Sequence, residues 1–147
     1  MTAVPTAVRQ DVYDRDAHRC VRCGKGGQLT IQHRIGRGMG GTRDPKVAAV
    51  SNLLALCGSG TTGCHGWVEH HPILADAHGW SAPRRATTTA WAVYSWRGWI
   101  ALSDDYGVDA VDPPGPDTDQ GIALASCGCD CGCLTPPRHQ LHGEGPM

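Results

Sequence analysis

The sequence predicts a small α+β fold in which short helices and strands are joined by long loops. The 20 glycines and 10 prolines among the 147 residues favour turns over regular structure. Apolar residues make up 40% of the chain, which suffices for one modest core. Four of the eight cysteines stand in two pairs between positions 20 and 64, where a cross-link can stabilise a domain with so small a core.

Apolar spacing and turn residues define the elements of the first half of the chain. Apolar residues four apart predict a helix, alternating apolar residues predict a strand, and glycine clusters predict turns. The elements predicted in this way are a helix at 6–17, a tight turn at 20–27, a strand at 28–33, a glycine-rich loop at 35–48, and a helical turn followed by a strand at 50–56.

The second half predicts one or two further helices and a β-hairpin. A helix opens at Cys64 or His65 and runs to about His71. Pro72 either kinks this helix or starts a second one that ends before Gly79, because proline is poorly tolerated inside a helix. The two strands of the predicted hairpin are residues 88–95 and 98–103.

Beyond the hairpin the composition of the chain changes. From residue 104 the sequence is acidic and then rich in proline and glycine, so 104–147 is expected to be a disordered tail. The expected organisation is therefore an N-terminal tail at 1–7, a single domain at 8–103 with the hairpin appended to it, and this C-terminal tail.

The net charge of −1 hides an asymmetry along the chain. Up to position 50 there are nine Lys and Arg against four Asp and Glu, whereas from position 101 onwards there are one and eight. A basic front half suits a polyanion, although ordinary variation of charge over a solvated surface produces similar counts.

The cysteine pairs predict a metal site. No signal peptide and no stretch of about 20 apolar residues is visible, so a cytoplasmic protein without a membrane partner is expected. Paired cysteines in a reducing compartment bind metal more often than they form disulfides. Cys20 with Cys23, and Cys57 with Cys64, are therefore predicted to hold a structural Zn²⁺, the alternative being four free buried thiols.

Two polar residues lie between the cysteine pairs. His33 ends a predicted strand, and a histidine near neutral pH can accept a proton from water, which makes it a candidate general base for phosphodiester hydrolysis. A lone histidine is more often structural, but its place between two halves of a metal site favours catalysis. Asn52 either fixes a local loop or holds His33 in position.

A second candidate site follows the last cysteine. His65 and Glu69 are four residues apart and share one face of the predicted helix. A histidine and a carboxylate placed in this way can hold a divalent cation and leave positions open for phosphate and water. The alternative for Glu69 is an ordinary solvated helix residue.

The order of these residues resembles the HNH endonucleases, whose core is a zinc-stapled ββα-metal finger, and looks like the HNH proteins of actinobacterial phages. The resemblance covers about residues 8–103. It rests on the segments Cys20-Val-Arg-Cys23, Gln32-His33, Gly36-Arg-Gly-Met-Gly-Gly41 and Asn52–Glu69. The resemblance implies an enzyme that hydrolyses phosphodiester bonds in DNA with the help of a divalent cation.

Residue by residue, the resemblance implies specific roles. His33 matches the general base, Asn52 matches the residue that orients this base through the backbone, and His65 matches a ligand of the catalytic cation, which is Mg²⁺, Mn²⁺, Ni²⁺ or Zn²⁺. Where the family commonly has Asp or His as a second ligand, this chain has Gln32, whose neutral amide oxygen is weaker. Glu69 is then the candidate that compensates.

The expected partner is DNA. The basic residues around the glycine-rich loop are candidates for contacts with backbone phosphates, which supply affinity without sequence information. These residues are Arg34, Arg37, Arg43 and Lys46. Phages often encode such proteins near the packaging terminase, so the resemblance also implies a possible partnership with a terminase.

Two competing functions remain at this stage. A zinc-binding adaptor that contacts DNA or a terminase without cutting is favoured by Gln32. A metal-buffering protein would instead use the tail cysteines of Cys127-Gly-Cys-Asp-Cys-Gly-Cys133, where small loops strain a single tetrahedral site. The alternative is that these tail cysteines belong to an unstructured, oxidation-prone segment.

Overall fold

The computed structural model describes residues 4–38 and 44–126. Within them the chain forms a mixed α+β fold with two antiparallel sheets, which confirms the predicted class. The helices are α1 Thr6–Arg15, α2 Pro45–Ala48, α3 Gly63–His70, α4 Pro72–His78 and α5 Asp119–Ser126. The strands are β1 Leu29–His33, β2 Leu53–Cys57, β3 Val93–Ser95, β4 Gly98–Leu102 and β5 Val108–Ala110. No helix of this described part is long and apolar enough to cross a membrane.

The first sheet is the antiparallel pair of β1 and β2. Leu29 faces Cys57 at one end of the pair, and His33 faces Leu53 at the other. The two ends are separated by about 13 Å at the usual rise per residue of a strand. A 3₁₀ turn at Val50–Asn52 precedes β2, as the sequence predicts, and α3 follows β2 and packs against it.

A buried ion pair ties α1 to β2. Arg15 donates to both carboxylate oxygens of Asp16, at 2.7 and 2.9 Å, and Asp16 also accepts from the amide of Ala55 at 3.0 Å. The helix ends at Arg15, two residues before its predicted end, because Ala17 and His18 adopt left-handed backbone conformations with φ of 59° and 56°.

The second sheet has the order β3–β4–β5 and contains the predicted hairpin, which begins at Val93 and not at residue 88. It is not an appendage, because the two sheets share one core. Trp80, Tyr94 and Trp99 are buried in the same cluster as Cys20 and Cys64. The cysteine-bearing turns and the second sheet therefore contribute side chains to one apolar cluster.

Pro72 starts α4 as its first residue, which decides between the two sequence-based alternatives in favour of a second helix. The helix ends at His78, and the next residue, Gly79, has a left-handed φ of 81°. A Cβ atom at this position would lie 1.9 Å from the carbonyl oxygen of Ala92. Only glycine therefore allows the chain to leave α4 so close to the segment that leads into β3.

The prediction of a disordered tail from residue 104 is wrong for residues 108–126. β5 pairs with β4, and α5 packs on α4 with Leu124 buried. The Gln120 side chain accepts from the Ala92 amide at 2.8 Å and donates to the Ala92 carbonyl. The acidic, proline-rich composition of the segment did not indicate that it contains β5 and α5. Residues 127–147, including the Cys127–Cys133 cluster, lie outside the described residues.

Candidate metal centre and histidine site

The two cysteine pairs converge on one point. The Sγ atoms of Cys20, Cys23, Cys57 and Cys64 all lie within 4.8 Å of one another, and those of Cys23 and Cys57 are 3.8 Å apart. A tetrahedral zinc with Zn–S bonds of about 2.3 Å requires sulfurs about 3.8 Å apart. The four cysteines therefore fit a structural zinc ion.

Two glycines explain how Cys57 and Cys64 meet across a loop longer than usual. Cys57 ends β2, and Cys64 lies in the first turn of α3. Gly58 and Gly63 adopt left-handed conformations with φ of 86° and 62°. A Cβ at Gly63 would lie 2.6 Å from the Cys57 carbonyl oxygen, so a side chain there would push the two cysteines apart.

Hydrogen bonds among the sulfurs divide the thiols into two kinds. The bond with Cys20 lowers the pKa of Cys57 to about 6 and lowers the pKa of Cys23 as well. The bond with Cys23 raises the pKa of Cys20. Because the thiolate is the form that binds metal, metal binding must displace the protons that the cluster still holds.

Arg22 lies inside this centre, although the spacing of the cysteines does not point to it. Its side chain is 1% exposed, and its Nη1 lies 3.3 Å from the Sγ of Cys64. The guanidinium carbon lies 4.1 Å from the ring centroid of Trp67 and 4.8 Å from that of Trp80. A buried cation held over two aromatic faces offsets the negative charge of the thiolates.

His33 lies half-buried at the end of β1. Burial is the main cause that lowers its pKa below the ordinary value, and the positive charge of Arg37, together with that of His65 when it is protonated, lowers it further. The imidazole is therefore neutral at neutral pH. A neutral imidazole can accept a proton, as a general base must.

Asn52 holds the segment that follows His33. The side chain is fully buried, and its Oδ1 accepts from the amide of Ile35 at 2.6 Å. Its Nδ2 donates to the carbonyl oxygens of Ile35 at 3.1 Å and Val47 at 3.0 Å. One amide group thus fixes both flanks of the basic loop between Ile35 and Val47.

His65 is oriented by Thr30, a residue that the sequence motifs do not mark. The Nδ1 of His65 lies 2.6 Å from the Thr30 hydroxyl, which also lies 2.9 Å from the carbonyl oxygen of Gly58. A carbonyl only accepts, so both contacts are satisfied when Thr30 donates to Gly58 and the Nδ1–H of His65 donates to Thr30. This tautomer leaves the lone pair of Nε2 available for a metal ion.

The two other candidate ligands of the catalytic cation, Glu69 and Gln32, lie in different surroundings. Burial lowers the pKa of His65, while the charge of exposed Glu69 opposes that shift. Gln32 is buried, and its Nε2 donates to the carbonyl oxygen of Trp80 at 3.4 Å. In the described ranges, the cysteines are the one group of three or more His, Cys, Asp or Glu with converging ligand atoms. Cation binding by Glu69 and Gln32 stays a prediction.

The prediction that Arg34 contacts phosphate is wrong, because its side chain is 1% exposed. The guanidinium donates to the backbone carbonyl oxygens of Gly79 at 2.8 Å, Ser51 at 2.8 Å and Thr88 at 2.9 Å, and also to that of Trp91. Burial lowers its pKa to about 9, so the group stays charged at neutral pH. Arg34 cross-links three backbone segments and is not available to a ligand.

Two of the other basic candidates, Arg37 and Lys46, lie within the described residues, and both are partly exposed. Arg37 is half-buried, and its charge acts on His33. Lys46 lies at the N-terminal end of α2, where Asp44 caps the helix by accepting from the Lys46 amide at 3.0 Å. Arg43 lies outside the described residues.

Comparisons with protein families, with curated proteins and with solved structures found no match for this chain. The site therefore has to be interpreted from its own geometry.

Proposed function

We propose that this protein is a metal-dependent endonuclease of the HNH type that hydrolyses phosphodiester bonds in DNA. One observation carries the proposal. A neutral His33, the loop-fixing Asn52 and a His65 oriented by Thr30 lie around one antiparallel pair, β1–β2, beside a four-cysteine centre. This combination supplies a proton acceptor, a rigid support and a metal ligand within one small fold.

Each residue has a defined task in the proposed reaction. His33 takes a proton from the attacking water, and Asn52 keeps the backbone after His33 in place. His65 offers Nε2 to a divalent cation. When bound, such a cation stabilises the negative charge that develops on the phosphate and the leaving oxygen. Four cysteines would leave a bound zinc ion no open position, so its task would be structural.

The second candidate is an adaptor that binds zinc and DNA without cutting. Its support is that the side chain of Gln32 is buried and donates to the carbonyl oxygen of Trp80. A partnership with a phage terminase, and a location in the host cytoplasm, follow from the family resemblance and accompany either candidate as predictions.

Replacing His33 separates the two candidates. We expect His33→Ala to reduce the cleavage rate of supercoiled plasmid by at least about 100-fold, the lower range of a general base contribution. The zinc content should not change. His70→Ala is the matched control, because His70 is exposed and its Nδ1 contacts the carbonyl oxygen of Gly66 within its own helix. Equal cleavage by the His33 and His70 variants would contradict the assignment of the base.

A further inference from the structure

Arg84 lies next to the loop that follows His33, far from that loop in sequence. Its Nη2 donates to the carbonyl oxygen of Gly36 at 3.2 Å. Its own carbonyl oxygen accepts from the Nζ of Lys46 at 2.9 Å. Arg84 therefore contacts both arms of the loop, one through its guanidinium and the other through its backbone carbonyl.

Two glycines of the described part of the loop lie next to the guanidinium of Arg84. A Cβ at Gly36 would meet nothing within 4 Å, and a Cβ at Gly38 would have the Nη2 of Arg84 as its neighbour at 3.6 Å. No side chain of these two glycines covers the guanidinium. At these two positions a ligand can approach the backbone closely, which is a common reason for glycine at binding sites.

The charges around this surface are positive. Arg37 is close enough to lower the pKa of His33. Asp44 is the acidic residue on the same loop within the described chain, and its carboxylate is engaged with the amide of Lys46. Arg84 uses one of its five N–H groups on Gly36, and Lys46 uses one of its three on Arg84, so both keep donors for another acceptor.

We infer that Arg84, Lys46 and Arg37 form a phosphate-binding surface that holds the DNA backbone beside His33. The inference rests on the proposed nuclease function and deepens it, because it assigns the contact that positions the substrate. Arg84 supplies a cation next to the bare glycine backbone, whereas the sequence-based candidate Arg34 is buried. Arginine suits this task because its planar group can donate two parallel hydrogen bonds to one phosphate.

Arg85 offers a matched control at the next position. It is equally an exposed arginine, but its Nε pairs with Asp119 at 3.3 Å, at the start of α5. Binding of a short fluorescent DNA duplex would be measured by anisotropy over a series of KCl concentrations, without added divalent cation, for the wild type, Arg84→Gln, Arg84→Lys and Arg85→Gln. Zinc content and thermal unfolding would show that each variant is folded.

Arg84→Gln should reduce the slope of log affinity against log salt concentration by about 0.9, the value for one phosphate contact, which is about an eightfold loss of affinity at about 0.1 M salt. Arg84→Lys should keep most of the slope, and Arg85→Gln should match the wild type. The inference is overturned if Arg84→Gln binds like the wild type, if both glutamine variants lose affinity equally, or if the wild type does not bind the duplex.

The same proteins in a plasmid cleavage assay distinguish this inference from the proposed nuclease. If the wild type cuts DNA, and Arg84→Gln binds and cuts DNA as well as the wild type, the phosphate-binding surface is refuted but the nuclease is not. If the wild type never cuts DNA, but Arg84→Gln binds DNA more weakly than the wild type as expected, the nuclease is refuted and the phosphate-binding surface is not.

Discussion

Cys64→Ser is expected to unfold the domain. Cys64 is fully buried, and its sulfur is one of four that converge within 4.8 Å. A structural zinc contributes about 10 kcal/mol or more to the stability of small zinc domains, whereas whole proteins are stable by only about 5–15 kcal/mol. A serine oxygen is a much poorer zinc ligand than a thiolate, and the other three thiolates would remain buried beside Arg22.

The expected result is loss of cooperative thermal unfolding together with loss of bound zinc, measured by circular dichroism and elemental analysis. Replacing all four cysteines of the Cys127–Cys133 segment by serine is the control, and a single zinc ion per chain should remain. A Cys64→Ser protein that unfolds cooperatively at the wild-type temperature would show that the centre does not hold the fold together. If the variant without the tail cysteines loses its bound zinc while Cys64→Ser keeps it, the metal-buffering alternative is supported.

Arg34→Met should destabilise the protein by at least about 3 kcal/mol, because it leaves several buried carbonyl oxygens without a donor. The guanidinium joins the carbonyls of Ser51, Gly79, Thr88 and Trp91, which belong to segments distant in sequence. Methionine matches much of the side-chain volume but supplies no donor. Arg34→Lys should recover only part of the loss, since an ammonium cannot reach four carbonyls arranged for a planar group.

Urea denaturation at equilibrium would measure this loss, with Arg85→Met as the control. Arg85 is exposed and forms a surface ion pair, so its replacement should change the free energy of unfolding by less than about 1 kcal/mol. If Arg34→Met were as stable as Arg85→Met and instead lost affinity for DNA, Arg34 would be a phosphate contact after all, as the sequence alone predicts.

Local patterns predicted the parts of the fold that depend on local chemistry. The alternation before His33, the turn before β2 and the proline at the start of α4 all led to elements that the structure contains. The tail was mispredicted because β5 and α5 are stabilised by distant partners. The amide of Gln120, for example, bonds to the backbone of Ala92. An acidic, proline-rich composition gives no sign of such a contact.

The candidate site was predictable to a similar extent. The cysteine spacing predicted a sulfur cluster that the structure contains, because ligand spacing is a local signal. The supporting residues carry no such signal. Arg34 and Arg84 both appear in the sequence as ordinary basic residues, yet one is 1% exposed and the other is at the surface. Burial and partners, which decide their roles, are set by the tertiary fold.

The most direct test of the proposed function is metal-dependent cleavage at constant zinc content. Zinc-loaded wild-type protein would be freed of weakly bound cations, its zinc content measured, and supercoiled plasmid then added with Mg²⁺, Mn²⁺ or Ni²⁺. We expect no cutting without an added cation and nicked or linear plasmid with at least one of them, while the zinc content stays unchanged. Retained zinc and DNA binding with no cutting by any cation would contradict the nuclease and identify an adaptor.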